Sequence, residues 1–238
     1  MINALEYAGI CVNTYDGEYG RVPVESKETQ RFLVGHSNLA VYENENTVIL
    51  AFQGSNGNGD WKDNLFFLPF RGKVLIPKGY RSKDEIDIHV HAGFWRNYHP
   101  LRRHVFDVVD SVINRKNDRK PIVLTGHSLG GANALLCRAD IMRNRNFIPD
   151  VYTFGAPSVG SKAFYEMIAY KSSVFQFRNN NDLVTHVPFW FMGYYHPKST
   201  FSVSNDHSER SGWTPFGNWK DHYPMKYYIG VKKMVKAL

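Results

Sequence analysis

The stretch that decides the fold is Pro121-Ile-Val-Leu-Thr-Gly-His-Ser-Leu-Gly-Gly131. In it a continuous apolar run meets the pattern G-x-S-x-G, and an amphipathic segment follows. A strand, a tight turn and a helix in this order are the context of a nucleophile elbow, which exposes its serine. Side chains would collide in so tight a turn, which accounts for Gly126 and Gly130. The pattern predicts Ser128 as a nucleophile, with the N–H groups that begin the next helix directed at developing negative charge.

Strands and helices alternate around this stretch. Apolar runs bounded by turn residues predict strands near 39–43, 47–53, 73–76, 86–91, 121–125, 151–154 and 173–177. Apolar residues at helical spacing predict helices over 101–114 and 129–143. The later strands alternate with helices and indicate a largely parallel sheet, whereas the early strands lack helices between them and should be antiparallel. No repeat or linker interrupts the chain, so we expect one α/β domain over residues 1–238.

Composition narrows the class of protein. The 238 residues are 43% hydrophobic and 21% charged, which excludes a disordered chain. The formal charge of +7 favours anionic partners, but no nucleic-acid motif is present and we expect no nucleic-acid partner. No window of 18 apolar residues predicts a membrane span, and the N-terminus lacks a signal-peptide pattern. These features fit a cytoplasmic protein or the mature form of a secreted one, with Cys11 and Cys137 as buried thiols.

Several ordered segments resemble the class 3 lipase family, the fungal-lipase-like branch of the α/β hydrolases. The elbow GHSLGGANA is similar to that of the family. Further segments resemble its blocks in the same order: AFQGS (51–55), DWKDNL (60–65), HAGFW (91–95), TFGAPSVG (153–160), NDLVTHVP (181–188) and DHYPMKYY (221–228). Together they span about three quarters of the chain. The resemblance implies an α/β-hydrolase fold and a serine hydrolase that cleaves lipid (acylglycerol) esters without a cofactor.

A serine nucleophile needs a general base, and the base needs a carboxylate that fixes its tautomer. In α/β hydrolases the chain order is Ser, then Asp, then His. The resemblance places the triad acid at Asp182, which follows a strand-like segment. His207 and His222 both follow an Asp, so their local context leaves both open as the base. The resemblance implies His222, which precedes Tyr227 and a last amphipathic segment, and His207 is the alternative.

Acyl transfer needs two donors for the tetrahedral oxyanion. One is expected to be the N–H of Leu129, the residue after the nucleophile. The resemblance implies Ser55 as the other, at the end of TVILAFQGS. The family usually has Arg where this chain has Gln53, and more often Thr where it has Ser55.

A mobile lid is often found in the family directly after this donor. Here residues 56–68 carry Gly57 and Gly59, which permit hinge motion. The segment is expected to cover the site and, on opening, to expose three side chains to lipid: Trp61, Leu65 and Phe66. A fixed loop that packs these side chains into the core is the alternative.

The run Pro188-Phe-Trp-Phe-Met-Gly-Tyr-Tyr195 lies between the predicted acid and base. Its large aromatic side chains, Phe189 and Trp190 among them, suit an acyl-chain groove or a rim that binds an interface. Core packing suits them equally, and the sequence does not decide between the two.

Other interpretations are weaker. Asp87, His89 and His91 alternate along a predicted strand as metal ligands could, but such spacing is common and HAGFW resembles a structural block of the family, so we expect no metal. His127 lies inside the elbow, where its neighbour carries the chemistry. The terminal GVKKMVKAL could rest on an anionic membrane surface, but an ordinary end helix is the simpler interpretation.

Four functions stay open beside acylglycerol hydrolysis. A phospholipase or a soluble-ester esterase of the feruloyl type would use the same triad, and so would a peptidase. A catalytically silent module that binds a lipid surface would need no serine at an elbow. We expect a lipid ester as substrate, with transient contact to a lipid–water interface or an anionic membrane surface. The sequence predicts no oligomeric state.

Overall fold

The computed structural model describes residues 3–55, 71–72, 88–169, 173–179, 182–197, 200–203 and 219–238. Within these ranges the helices are α1 (Asn3–Asn13), α2 (Ala92–Tyr98), α3 (Arg102–Ile113), α4 (Leu129–Asn144), α5 (Lys162–Ile168) and α6 (Pro224–Lys236). The strands are β1 (Lys27–Val34), β2 (Ser37–Glu43), β3 (Val48–Phe52), β4 (Arg71–Gly72), β5 (Val90–His91), β6 (Ile122–His127), β7 (Asp150–Phe154), β8 (Val174–Asn179) and β9 (Thr200–Val203).

A seven-stranded sheet carries the site, with the strand order β1-β2-β3-β6-β7-β8-β9. The pairs β1–β2 and β2–β3 are antiparallel, whereas β3, β6, β7, β8 and β9 pair in parallel. This arrangement confirms the predicted α/β class, with its largely parallel sheet and antiparallel N-terminal part. Because β6 lies between β3 and β7, the predicted nucleophile follows a strand that is supported on both sides.

Side chains along the sheet alternate between two buried layers, as the period of a strand requires. On β3, Leu50 and Phe52 join the layer under helices α2 to α5, while Ile49 joins the layer under α1 and α6. Each layer contains one free thiol, Cys137 on α4 and Cys11 on α1. The sheet is therefore covered by helices on both faces.

Most elements predicted around the elbow are present with shifts of one or two residues. The strand predicted at 86–91 is limited to Val90–His91 within the described residues, and the one at 73–76 lies outside them. Several short or N-terminal elements were not predicted: α1, α2, α5, β1 and β9. None of the helices in the described ranges is long and apolar enough to cross a membrane.

Candidate active site

The turn between β6 and α4 has the geometry of an elbow. Ser128 adopts φ 57° and ψ −127°, in the left-handed half of the backbone map that non-glycine residues rarely occupy. A Cβ atom on Gly126 would overlap the backbone of Gly130, and a Cβ atom on Gly130 would overlap the carbonyl oxygen of Phe52. The two glycines are thus required by close backbone approach, as the sequence pattern indicated.

Three side chains form a hydrogen-bonded chain at this turn. Nε2 of His222 lies 2.7 Å from Oγ of Ser128, and Nδ1 of His222 lies 2.8 Å from Oδ2 of Asp182. All three residues are buried, Asp182 completely. Since a carboxylate only accepts, Nδ1 of His222 donates to Asp182 and Nε2 is left to accept the hydroxyl proton of Ser128. The arrangement can deprotonate a serine hydroxyl.

The carboxylate of Asp182 accepts two hydrogen bonds besides that of His222. The backbone N–H of Val184 donates to Oδ1 over 2.9 Å, and the hydroxyl of Tyr227 donates to Oδ2 over 2.5 Å. Burial and the neighbouring carboxylate raise the pKa of Tyr227 well above its usual value, so this hydroxyl stays protonated and keeps donating. In the sequence, Tyr227 serves only to mark the position of His222. No local pattern predicted its contact with Asp182.

His127 is held beside the triad by two contacts to residues far away in the sequence. Its Nδ1 lies 2.8 Å from the hydroxyl of Tyr15, and its Nε2 lies 2.6 Å from the backbone oxygen of His222. Burial, and then repulsion from His222, lower the pKa of His127 well below its usual value, so the ring is neutral. Burial also raises the pKa of Tyr15 far above the ordinary range, so the phenol is protonated.

The two predicted oxyanion donors lie next to the elbow in different ways. Leu129 is the first residue of α4, and its N–H has no acceptor among the residues that the structure describes. Ser55 follows Gly54, where an added Cβ atom would come within 3.3 Å of the Ser128 Cβ. The end of β3 therefore approaches the nucleophile closely. The role of both donors in a reaction stays a prediction.

Gln53, which stands where the family usually has arginine, is buried two residues before Ser55. Its side-chain oxygen accepts a hydrogen bond from the side-chain amide of Asn38. Its backbone N–H donates to the backbone carbonyl of Asn38 over 3.1 Å. Two neutral amides thus meet at this position.

The aromatic run between acid and base lies on the surface, not in the core. A short 3₁₀-helix covers Trp190–Met192, and the side chains of Trp190 and Phe191 are 75% and 67% exposed. Phe189 is 36% exposed and stacks on Phe191 with 5.4 Å between ring centroids. Exposed aromatic side chains in a row favour the interface-binding rim over core packing.

Several sequence predictions fall outside the described residues. These are the lid at 56–68 with Trp61, Leu65 and Phe66, the alternative base His207, and Asp87 of the metal triad that was set aside. His91 has a structural contact, because its Nδ1 accepts the N–H of Phe94 at the start of α2. Within the described ranges, no group of three His, Cys, Asp or Glu side chains could hold a metal ion.

With this fold and site in place, comparison with known proteins identifies the family. The family model "Lipase (class 3)" matches residues 49–192, and the chain belongs to the class 3 lipase family. Its fold neighbours are fungal lipases with the α/β-hydrolase fold. One is a solved structure of the Rhizomucor miehei triacylglyceride lipase, which is 24% identical, with 97% of this chain and 94% of that chain covered at a TM-score of 0.72.

Curated relatives carry more than one substrate name. A lipase of Rhizomucor miehei is 28% identical over 176 residues, which are 70% of this chain and 44% of the relative. The phospholipase A1-IIdelta of Arabidopsis thaliana is 35% identical over 179 residues, which are 62% of this chain and 43% of the relative. The chain thus spans less than half the length of either relative.

Proposed function

We propose that this protein is a serine carboxylic-ester hydrolase that cleaves lipid esters of the acylglycerol type. The observation that carries the proposal is the continuous hydrogen-bonded chain from Asp182 through His222 to Ser128, at a turn where Ser128 has a positive φ. Membership in the class 3 lipase family supports a lipid ester as the substrate.

In the proposed reaction, Oγ of Ser128 attacks the ester carbonyl and its proton moves to Nε2 of His222. Asp182 accepts the Nδ1 proton of His222 in a hydrogen bond and stabilises the imidazolium that forms. The N–H of Leu129 and the donors of Ser55 stabilise the oxyanion. His222 returns the proton to the leaving alcohol, and water then cleaves the acyl-enzyme by the same steps in reverse.

The exposed aromatic run supports contact with a lipid–water interface. Trp190 and Phe191 are exposed on the segment that begins at Asp182. The side chains that would enter a lipid surface and the triad acid therefore belong to the same loop. His196 lies between two backbone carbonyls of this loop, with Nδ1 3.0 Å from the oxygen of Thr185 and Nε2 3.0 Å from that of Pro188, and the ring nitrogen that carries the proton donates to one of them. We propose that these aromatic side chains bind aggregated substrate transiently.

The other functions have weaker support. A phospholipase relative keeps phospholipid esters as the second candidate, because the triad acts on either ester. A silent lipid-binding module would not need Ser128 in a strained turn within hydrogen-bond distance of His222. Nothing in the triad distinguishes a feruloyl-type esterase or a peptidase, and the family membership disfavours the peptidase.

The test is hydrolysis of p-nitrophenyl esters from acetate to palmitate by wild type, Ser128→Ala, His222→Ala and His207→Ala, followed by dioleoylglycerol and phosphatidylcholine. We expect serine-dependent turnover that rises toward long chains, labelling of Ser128 by a fluorophosphonate, and activity that survives only in His207→Ala. Preference for acetate would instead indicate a short-chain esterase, and preference for phosphatidylcholine a phospholipase. Equal turnover by wild type and Ser128→Ala would overturn the triad.

A further inference from the structure

The contacts of His127 determine which of its ring nitrogens carries the proton. A carbonyl oxygen only accepts hydrogen bonds, so Nε2 must donate to the backbone oxygen of His222. Because the ring is neutral, Nδ1 has a free lone pair and accepts the hydroxyl proton of Tyr15. Tyr15 therefore fixes His127 in the Nε2–H tautomer, and this tautomer is the one that can hold the backbone of His222.

The same pair touches three of the four chain segments that build the site: the elbow, the end of β3 and the backbone of His222. His127 belongs to the elbow and directly precedes Ser128. The hydroxyl of Tyr15 also packs against Gly54, where an added Cβ atom would overlap it. Tyr15 thus contacts the segment before Ser55 directly. Through His127 it is also connected to the elbow and to the backbone of His222.

The two histidine rings lie close enough for their charges to matter. Their centroids are 4.6 Å apart, with the planes tilted by 35°. In the proposed reaction His222 becomes positive when it takes the proton of Ser128. A second positive charge at this distance in a buried site would oppose that step, whereas a neutral His127 does not.

We propose that Tyr15 and His127 are positioning residues that hold the backbone of His222 so that its ring stays aligned between Asp182 and Ser128. The inference rests on the hydrolase function proposed above. Neither side chain needs to touch substrate, because they act through the carbonyl of His222. Loss of either should therefore lower kcat, while KM for a soluble ester changes little.

The experiment compares Tyr15→Phe, His127→Gln and His127→Leu with wild type on p-nitrophenyl butyrate, with rates normalised to the sites titrated by a fluorophosphonate. We expect kcat to fall by about tenfold to a hundredfold in Tyr15→Phe, with KM within about twofold, because small misplacement of a catalytic group has effects of this size. His127→Gln should keep more activity than His127→Leu, because its amide N–H can still donate to the carbonyl of His222.

Tyr98→Phe is the matched control. Tyr98 is fully buried and its hydroxyl donates to Asp140 over 3.0 Å, in the core layer under α2 to α5. Its loss should lower the melting temperature and leave kcat per titrated site unchanged. If Tyr15→Phe behaves like this control, or if His127→Gln and His127→Leu are equally active, the inference is wrong. Should His127→Leu fail to fold, the comparison of Tyr15→Phe with Tyr98→Phe decides.

Nitrogen-15 NMR of the histidine rings gives an independent measurement. Wild type should show His127 as the neutral Nε2–H tautomer, and Tyr15→Phe should change that signal. An Nδ1–H tautomer in wild type would contradict the inference even if the enzyme is active. If the fluorophosphonate does not label Ser128 in the wild-type protein, the proposed function itself is wrong, and this inference is wrong with it.

Discussion

The hydroxyl of Tyr227 donates to Oδ2 of Asp182 over 2.5 Å, the same carboxylate oxygen that Nδ1 of His222 faces at 2.8 Å. Two donors thus converge on one oxygen of a fully buried carboxylate. The Tyr227 hydroxyl in turn accepts the backbone N–H of Asn179 over 3.1 Å. One phenol therefore joins the end of β8 to the carboxylate that orients the predicted base.

We expect Tyr227→Phe to lower kcat by about tenfold and stability by about 1–3 kcal/mol, since the buried Asn179 N–H and the Asp182 carboxylate each lose a partner. Steady-state kinetics and urea unfolding measure the two effects. Tyr228→Phe is the control on the same helix, because the hydroxyl of Tyr228 makes no hydrogen bond within the described residues. Equal losses in both variants would contradict this role of Tyr227.

The exposed position of Trp190 predicts a difference between soluble and aggregated substrate. Burial of a large aromatic side chain in lipid is worth roughly 1.5–3 kcal/mol. We expect Trp190→Ala to lose about tenfold more activity on a triolein emulsion than on p-nitrophenyl butyrate. Leu33→Ala is the control, because it removes an apolar side chain that is 71% exposed on β1. Its activity should fall little, and equally, on the two substrates. A uniform loss in Trp190→Ala would argue against interface binding.

The close packing at the elbow predicts that Gly130 tolerates no side chain. Gly130→Ala places a Cβ atom against the carbonyl oxygen of Phe52, and we expect it to cost about 3 kcal/mol of stability and to abolish labelling of Ser128. Gly9→Ala on α1 places its Cβ atom against side-chain atoms of Val22, Val24 and Tyr228 and not against backbone, and its higher helix propensity offsets part of the crowding. Thermal unfolding should give a clearly lower melting temperature for Gly130→Ala than for Gly9→Ala. Similar melting temperatures of the two variants would contradict this prediction.

An ion-pair cluster far from the site predicts a pH-dependent part of stability. Glu43 pairs with Arg115 and Lys120, which lower its pKa to about 2, below the unfolded value of about 4.3. The stabilisation is therefore complete above about pH 5 and is lost as pH falls through the folded value. We expect Glu43→Gln to cost about 1 kcal/mol near pH 7 and almost nothing near pH 2, by urea unfolding. The exposed Glu45→Gln is the control, and a pH-independent cost would contradict the assignment.

The sequence predicted those parts of the fold whose signals are local. The elbow residues lie within one continuous run, so a strand, glycines at fixed offsets and a helix were visible together. Helix α1 was not predicted, because seven of its eleven residues are buried and its apolar residues leave no polar face that would define a helical period. Strand β1 is mostly polar and exposed at the sheet edge, so its alternation was weak.

The site was predicted where residues occur in family segments and missed where only distance in space joins them. Ser128, Asp182 and His222 each lie in a recognisable segment. Tyr15 and His127 are 112 residues apart in sequence, and no periodicity connects them. The exposure of Trp190 was also undecided, because an aromatic residue on a surface and one in a core look alike in sequence.

The distribution of the two thiols has a use beyond the chemistry of the site. Cys11 and Cys137 lie on opposite faces of the sheet, and burial raises the pKa of Cys11 to about 12. Neither thiol reacts until the layer around it opens, because only an exposed thiolate is nucleophilic. The chain therefore contains its own pair of reporters, one for each core layer. Their labelling rates would reveal whether the helix pair α1–α6 detaches before the layer that supports the elbow.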